Sequence, residues 1–167
     1  MNTSGSNGVS DDGSPDTVSA GEPFELSADE CRELLRAGLV GRIALCTPLG
    51  PHIVPVNYSV VDDTLIVRTT PYSVLGSHAR GAILALEVDH FDYERHHGWS
   101  VVVRGRADVV TRADELEAIK GNWEPRPWAA GSRNLFLRIR WSELTGRRLG
   151  AGWHPVDELP VHQVLRA

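Results

Sequence analysis

The residues best suited to chemistry lie in one run, Arg68-Thr69-Thr70-Pro71-Tyr72-Ser73. It follows a β-branched stretch and precedes a segment that reads as a short helix from Ser73. A guanidinium, several hydroxyls and the N–H groups of a helix start can together hold a phosphate. The same residues also describe an ordinary strand-to-helix turn, with Thr70 or Ser73 as N-cap and Arg68 in solvent, and such turns are the commoner case. Other candidates are poorer. His90, Asp89, Asp92 and His96-His97 lack metal-ligand spacing, and adjacent histidines on an extended chain point in opposite directions, so a solvated loop and no metal are expected. Gly-x-Ser-x-Gly is absent, and Ser100 falls in mid-strand. Trp99-Ser100 supplies an aromatic ring and a hydroxyl, for a planar ligand or simply for the core. No catalytic acid, base or nucleophile stands out. A phosphate holder without catalytic side chains suits a bound redox cofactor that carries the chemistry itself.

The elements that must position these groups are mostly strands. Ser27, with Glu30 three residues on, forms a capping-box signature for a helix whose stripe is Leu34, Leu35 and Leu39 and which Gly38 and Gly41 end. Val40–Thr47 reads as a strand, and Pro48-Leu49-Gly50 turns it into a second, His52–Val60. Asp62-Asp63 then makes a hairpin with Thr64–Thr70. Pro55 cannot donate to a ladder, so it marks an edge or a bulge. After a Ser73–Gly81 helix, Ala82–His90 is nearly all apolar and is expected to be buried on both faces. Phe91–Gly98 reads as a polar loop, Trp99–Val110 as the longest strand, Ala113–Lys120 as a helix and Asn134–Trp141 as the last clear strand. Gly121–Ser132 is a loop carrying Trp123 and Trp128. Strands do not alternate with helices as βαβ units, and the pattern predicts a mainly β, antiparallel, closed or split barrel.

The chain has 167 residues, enough for one domain with a real core. Residues 1–25 hold five acids, Asp11, Asp12, Asp16, Glu22 and Glu25, and no base, the first being Arg32; the other seventeen acids match seventeen bases. The folded body is thus near neutral, which argues against nucleic acid as a partner. Sixteen of the bases are Arg, which suits bidentate phosphate contacts. Residues 1–22 are Ser, Gly, Asp, Asn and Pro with little that is apolar, and read as a disordered acidic tail. Residues 23–150 form the domain, and 151–167 read as a loosely held C-terminal tail. Cys31 and Cys46 lack metal or redox spacing and are expected as free thiols. No apolar run is long enough for a membrane span, and no signal-peptide pattern opens the chain, so a cytoplasmic protein is expected.

Taken in order, LSADECRELL, VGRIAL, PHIVPVNYSV, LIVRTTPYSVL, LALEVDHFD, GWSVVVRGRADVV, RPWAAG and ELTGRRL resemble the flavin-binding split-barrel proteins. More narrowly, they resemble the pyridoxamine 5′-phosphate oxidase-like group of actinobacteria, which includes nitroimidazole-resistance-type reductases. The resemblance runs from about Phe24 to Gly150. It implies a six-stranded antiparallel split β-barrel with short flanking helices, a homodimer, and FMN in a groove between the subunits. Arg68, Thr69, Thr70 and Ser73 would face the phosphate. Pro55, Val56, Asn57 and Tyr58 would run beside the isoalloxazine ring, and Trp99, Ser100 and Val101 would come from the long strand, in the same or the other subunit.

Two departures bear on function. Many members carry Lys where this chain has Val74, which removes a charge next to the phosphate; Arg68 and Arg80 are available to compensate. The C-terminal Trp, Arg, His and Arg pattern of the vitamin B6 oxidases is not found around Arg138-Ile139-Arg140-Trp141. The resemblance therefore implies an FMN-dependent oxidoreductase acting on a small molecule other than a B6 vitamer. A non-catalytic binder of flavin, deazaflavin or haem is the alternative, and a structural dimer with an empty groove a third.

Overall fold

The computed structural model describes residues 23–122, 124–126 and 131–158. The expected tail of residues 1–22, the indoles of Trp123 and Trp128, and residues 159–167 lie outside them. In chain order the elements are β1 (Phe24–Glu25), α1 (Ala28–Ala37), β2 (Val40–Thr47), β3 (Gly50–Val61), β4 (Thr64–Thr69), α2 (Val74–His78), β5 (Ile83–Asp92), β6 (His97–Val109), α3 (Ala113–Asn122) and β7 (Leu135–Leu149). A 3-10 helix, Pro155–Glu158, follows.

The fold is the expected mainly β, antiparallel barrel. The strand order is β1-β7-β4-β3-β2-β5-β6, and β6 pairs back onto β7 to close the ring. All pairings are antiparallel. Strand β7 makes the closure possible: residues 135–140 pair with β4, and residues 137–149 pair with β6. It is the longest strand, at 15 residues against 13 for β6, and runs eight residues past the Trp141 at which the sequence pattern stops. A bulge lets it bend: Arg104 faces Glu143 and Gly105 faces Trp141, so Ser142 is the extra residue. Gly105 is required there, because a Cβ would lie 2.0 Å from the Arg140 carbonyl oxygen.

Alternation fills the interior. Ile43 and Leu45 of β2, Leu65 and Val67 of β4, Leu84 and Leu86 of β5, Val101 and Val103 of β6, and Leu137 and Ile139 of β7 form one core. The outer face of β5 is accessible, with Ile83 exposed, so this strand is not buried on both faces in the single chain. Helix α1 contributes Leu34 and Leu35 to the barrel core, and α2 contributes Leu75. The capping box of α1 is formed: Ser27 N–H donates to Glu30 Oε2 at 2.6 Å, and Glu30 N–H donates to Ser27 Oγ at 3.3 Å. Gly38 ends α1, whereas Gly41 lies inside β2. A second cluster, Ile66, Phe136, Val110 and Ile119, lies on the outer face of β4 and β7 beneath α3.

Residues 153–158 pack on the body rather than trailing from it. Trp153 stacks on His97 with ring centroids 4.1 Å apart, and its Nε1–H donates to the Leu149 carbonyl. His154 Nε2 lies 2.7 Å from Glu30 Oε1, and Pro155 is buried. His97 is therefore a buried residue at the start of β6, not part of a solvated loop. Among the described residues, no helix is long and apolar enough to cross a membrane.

Candidate functional site

The split in the barrel lies between β3 and β4. Their ladder runs from Val61↔Thr64 to Tyr58↔Val67 and then stops. Beyond it, residues 50–57 of β3 pair with β2 alone. Pro55 is on that open side and pairs with Arg42, so it does mark a local edge. Across the split, β4 ends at Thr69, and the chain turns through Thr70–Ser73 into α2.

That turn is held by hydroxyls. Ser73 N-caps α2, accepting from Gly76 N–H at 2.9 Å, and its own hydroxyl donates to the Thr70 carbonyl at 2.9 Å. A hydroxyl has one proton, so the 2.8 Å contact between Thr69 Oγ1 and Ser73 Oγ is Thr69 donating. The Thr70 hydroxyl makes no hydrogen bond among the described residues. The first-turn N–H groups of Val74 and Leu75 have no intrahelical acceptor. Gly76 allows the helix to sit this close, since a Cβ would meet the Thr70 carbonyl oxygen at 2.1 Å. A free hydroxyl, two rotatable ones and unpaired amides form a donor set that fits a phosphate.

Arg68 is not part of this set. Side chains alternate along a strand, so Arg68 and Thr69 point to opposite faces of β4. Thr69 is buried, while Arg68 lies on the α3 side, its guanidinium over the Phe136 ring with the centroid 5.0 Å away. Its Nη1 donates to Glu124 Oε1 at 2.7 Å, and its Nε donates to the Arg133 carbonyl at 3.1 Å. The guanidinium thus ties down both ends of the chain between α3 and β7.

The other expected residues divide in the same way. In β3, Pro55 is exposed at the split, but Val56 packs against the core. Asn57 Nδ2 donates to the Leu39 carbonyl at 3.4 Å, and buried Tyr58 donates its hydroxyl to the Leu35 carbonyl at 2.8 Å. Burial holds the Tyr58 phenol well above the usual range of tyrosine. In β6, Trp99 and Val101 face the core. Ser100 faces outward into a shallow groove of about 480 Å³ on the β1–β7–β6 face, shared with Val102, Thr145 and Arg147. Strand β6 has β5 and β7 as neighbours, so within one chain Ser100 lies across the ring from the split. The structure thus joins Thr69, Thr70 and Ser73 in one hydrogen-bonded turn, leaves Pro55 on the open edge of β3, and places Arg68 and the Trp99–Val101 segment elsewhere.

The family model for pyridoxamine 5′-phosphate oxidase matches residues 27–148, from the α1 cap to the end of the β7 ladder. The chain belongs to the pyridoxamine 5′-phosphate oxidase family. One relative in this family is the uncharacterised protein Rv0080 of Mycobacterium tuberculosis, 33% identical over 138 residues, which are 80% of this chain and 90% of that protein. The solved structure of an FAD-binding protein from Mycobacterium smegmatis superposes with a TM-score of 0.63 at 32% identity, covering 75% of this chain and 97% of that one. An FAD-binding protein from Mesorhizobium loti superposes with a TM-score of 0.57 at 25% identity, covering 75% and 97%.

Two features of the site and its frame escape a reading of the sequence, and a third was available from it. Glu124 as the partner of Arg68 is separated from it by 56 residues, and no local pattern signals the pair. The free hydroxyl of Thr70 depends on the turn geometry. The opposed faces of Arg68 and Thr69 were available from the two-residue period of a strand.

Proposed function

We propose that this protein binds a flavin nucleotide at the β3–β4 split, with the phosphate on the turn formed by Thr69, Thr70 and Ser73. The observation that carries the reading is the donor set at that turn, in a chain whose family includes a 32% identical FAD-binding protein of the same fold. FMN is the smallest ligand that the turn requires, and FAD presents a phosphate at the same position on its ribityl chain. Thr70 and the first-turn amides would receive the phosphate oxygens. Thr69 and Ser73 would swing their hydroxyl protons from the internal network toward them. The ring would lie along the open edge of β3 at Pro55, and burial of Thr69 keeps water from one side. When bound, a flavin supplies hydride or electron transfer, which suits a split where no acid, base or nucleophile stands out among the described residues. The reading is thus a flavin-dependent oxidoreductase acting on a small molecule.

Purification of the full chain, followed by its absorption spectrum and titration with riboflavin, FMN and FAD, tests this. Flavin bands, or submicromolar binding of a phosphorylated flavin with weaker binding of riboflavin, are expected. Reduction of the bound flavin by a nicotinamide nucleotide would support turnover rather than storage. A Soret band or retention of a deazaflavin alone would replace flavin with that ligand, and a colourless protein that binds none of them would end the proposal.

A further inference from the structure

We propose that Tyr72 stacks on the adenine ring of a dinucleotide flavin and so selects FAD over FMN; the inference rests on the flavin reading above and concerns the other half of the ligand. Tyr72 is 95% exposed. It sits within the turn that carries the phosphate donors, between Thr70, whose carbonyl accepts from Ser73 N–H at 3.2 Å, and Ser73 itself. Pro71 precedes it and fixes the backbone torsion there. Among the described residues the Tyr72 ring has no hydrogen bond and no ring contact, so the fold does not depend on it. Pro71 and Val74 are exposed beside it, which makes the surface over the turn apolar at its rim.

Charge points the same way. The phosphate of FMN is a monoester and approaches two negative charges near neutral pH, whereas each phosphate of FAD, esterified once and joined to the other through an anhydride oxygen, carries one. Fixed positive charge near the turn is sparse. Arg68 is on the opposite face of β4 and already paired with Glu124 at 2.7 Å. Val74 brings no charge to the start of α2, and Arg80 lies beyond its far end. Hydroxyls and amides on a turn that itself carries no charged side chain suit a singly charged phosphate better than a dianionic one. What FAD lacks in ionic attraction it recovers by stacking, because every nucleobase presents a π-face to an aromatic platform. Tyr72 is one residue from Ser73, so a base held there would lie next to the phosphate position, where the adenosine of a dinucleotide continues.

The test uses the full chain freed of flavin and titrated separately with FAD and FMN, following flavin fluorescence and confirming by calorimetry. Wild type should bind FAD about tenfold more tightly than FMN. Tyr72→Ala should lose about tenfold in FAD affinity and keep FMN within twofold, while Tyr72→Phe should retain FAD binding. The melting temperature of both variants should equal that of wild type, because the ring is in water. Equal affinity of wild type for FAD and FMN overturns the inference, as does a Tyr72→Ala variant that binds FAD as wild type does or loses both ligands equally. A melting temperature several degrees lower would make Tyr72 a structural residue and overturn it too. Those outcomes leave the flavin reading standing. Failure of wild type to bind either flavin removes both.

Discussion

At the scale of single residues, Arg68 shows how position on a strand overrides residue type. A guanidinium next to two threonines invites a phosphate, yet the pleat sends it to the other face, where it holds Glu124, the Arg133 carbonyl and the Phe136 ring. Arg68→Ala is therefore expected to destabilise the protein by about 1–2 kcal/mol, the Glu124 carboxylate being partly solvated. It should weaken riboflavin and FMN to a similar, small extent. Titration of both ligands against the variant checks this, and a loss confined to FMN would show the guanidinium swinging to the phosphate. Tyr58 offers a sharper reading. Its buried hydroxyl donates to the Leu35 carbonyl, and burial raises the folded-state pKa above the unfolded value near 10. The folded protein then keeps a proton that the unfolded chain loses. The associated stability is fully present below about pH 10 and is lost as pH rises beyond it. Denaturant midpoints measured between neutral and strongly alkaline pH should fall at the alkaline end. Tyr58→Phe should cost about 1 kcal/mol at neutral pH and flatten that fall, because the phenol is gone.

At the scale of elements, the close approach of α2 to the β4 end depends on Gly76. A methyl group there would lie 2.1 Å from the Thr70 carbonyl oxygen and 2.9 Å from that of Pro71. Gly76→Ala should push the helix off the turn, cost about 1–3 kcal/mol and weaken every phosphorylated flavin. Thermal melting and FMN titration of the variant check it, and unchanged binding would place the phosphate elsewhere. The turn itself was readable from the sequence, since Thr, Pro and Ser at these spacings name an N-cap, and Ser73 is one. So were β2, with its strict alternation, and the Ser27–Glu30 box, because both are written in local periods and propensities. What local pattern did not reveal depends on distant partners. Strand β7 continues through Glu143, Thr145 and Arg147 because β6 supplies a ladder there, although those side chains look like a polar loop. His97 is buried because Trp153 stacks on it, and residues 153–158 are ordered against α1 through the His154–Glu30 contact. The candidate site was legible in its hydroxyls and opaque in its charge, since the anion that occupies Arg68 comes from beyond α3.

At the scale of the whole molecule, the barrel leaves one sheet face unexplained by its own core. On the outer side of β2, β3 and β5, Ala44 stands between Ile53 and Ala85 in register, and Cys46 faces Pro51. Ile53 is 70% exposed and Ile83 57%, and Leu49, at the tip of the β2–β3 hairpin, 94%. Contiguous apolar surface of this kind is uncommon on monomers and marks an interaction site. The neighbouring open edge of β3 would invite strand addition, but Pro55 lacks an N–H to donate, so an added strand would lose a ladder bond there. A partner is therefore better accommodated by packing on the face than by extending the sheet. We propose that a second copy of this chain is that partner. A homodimer at micromolar concentration is the expected result of light scattering. Ile53→Glu places a charge in the middle of the face, where the exposed position tolerates it in the monomer and a packed interface does not. The variant should scatter as a monomer with its barrel intact by circular dichroism, and should bind flavin more weakly than wild type if the second subunit completes the site. A wild type that scatters as a monomer with flavin bound, or an Ile53→Glu variant that remains dimeric, would move the interface away from this face.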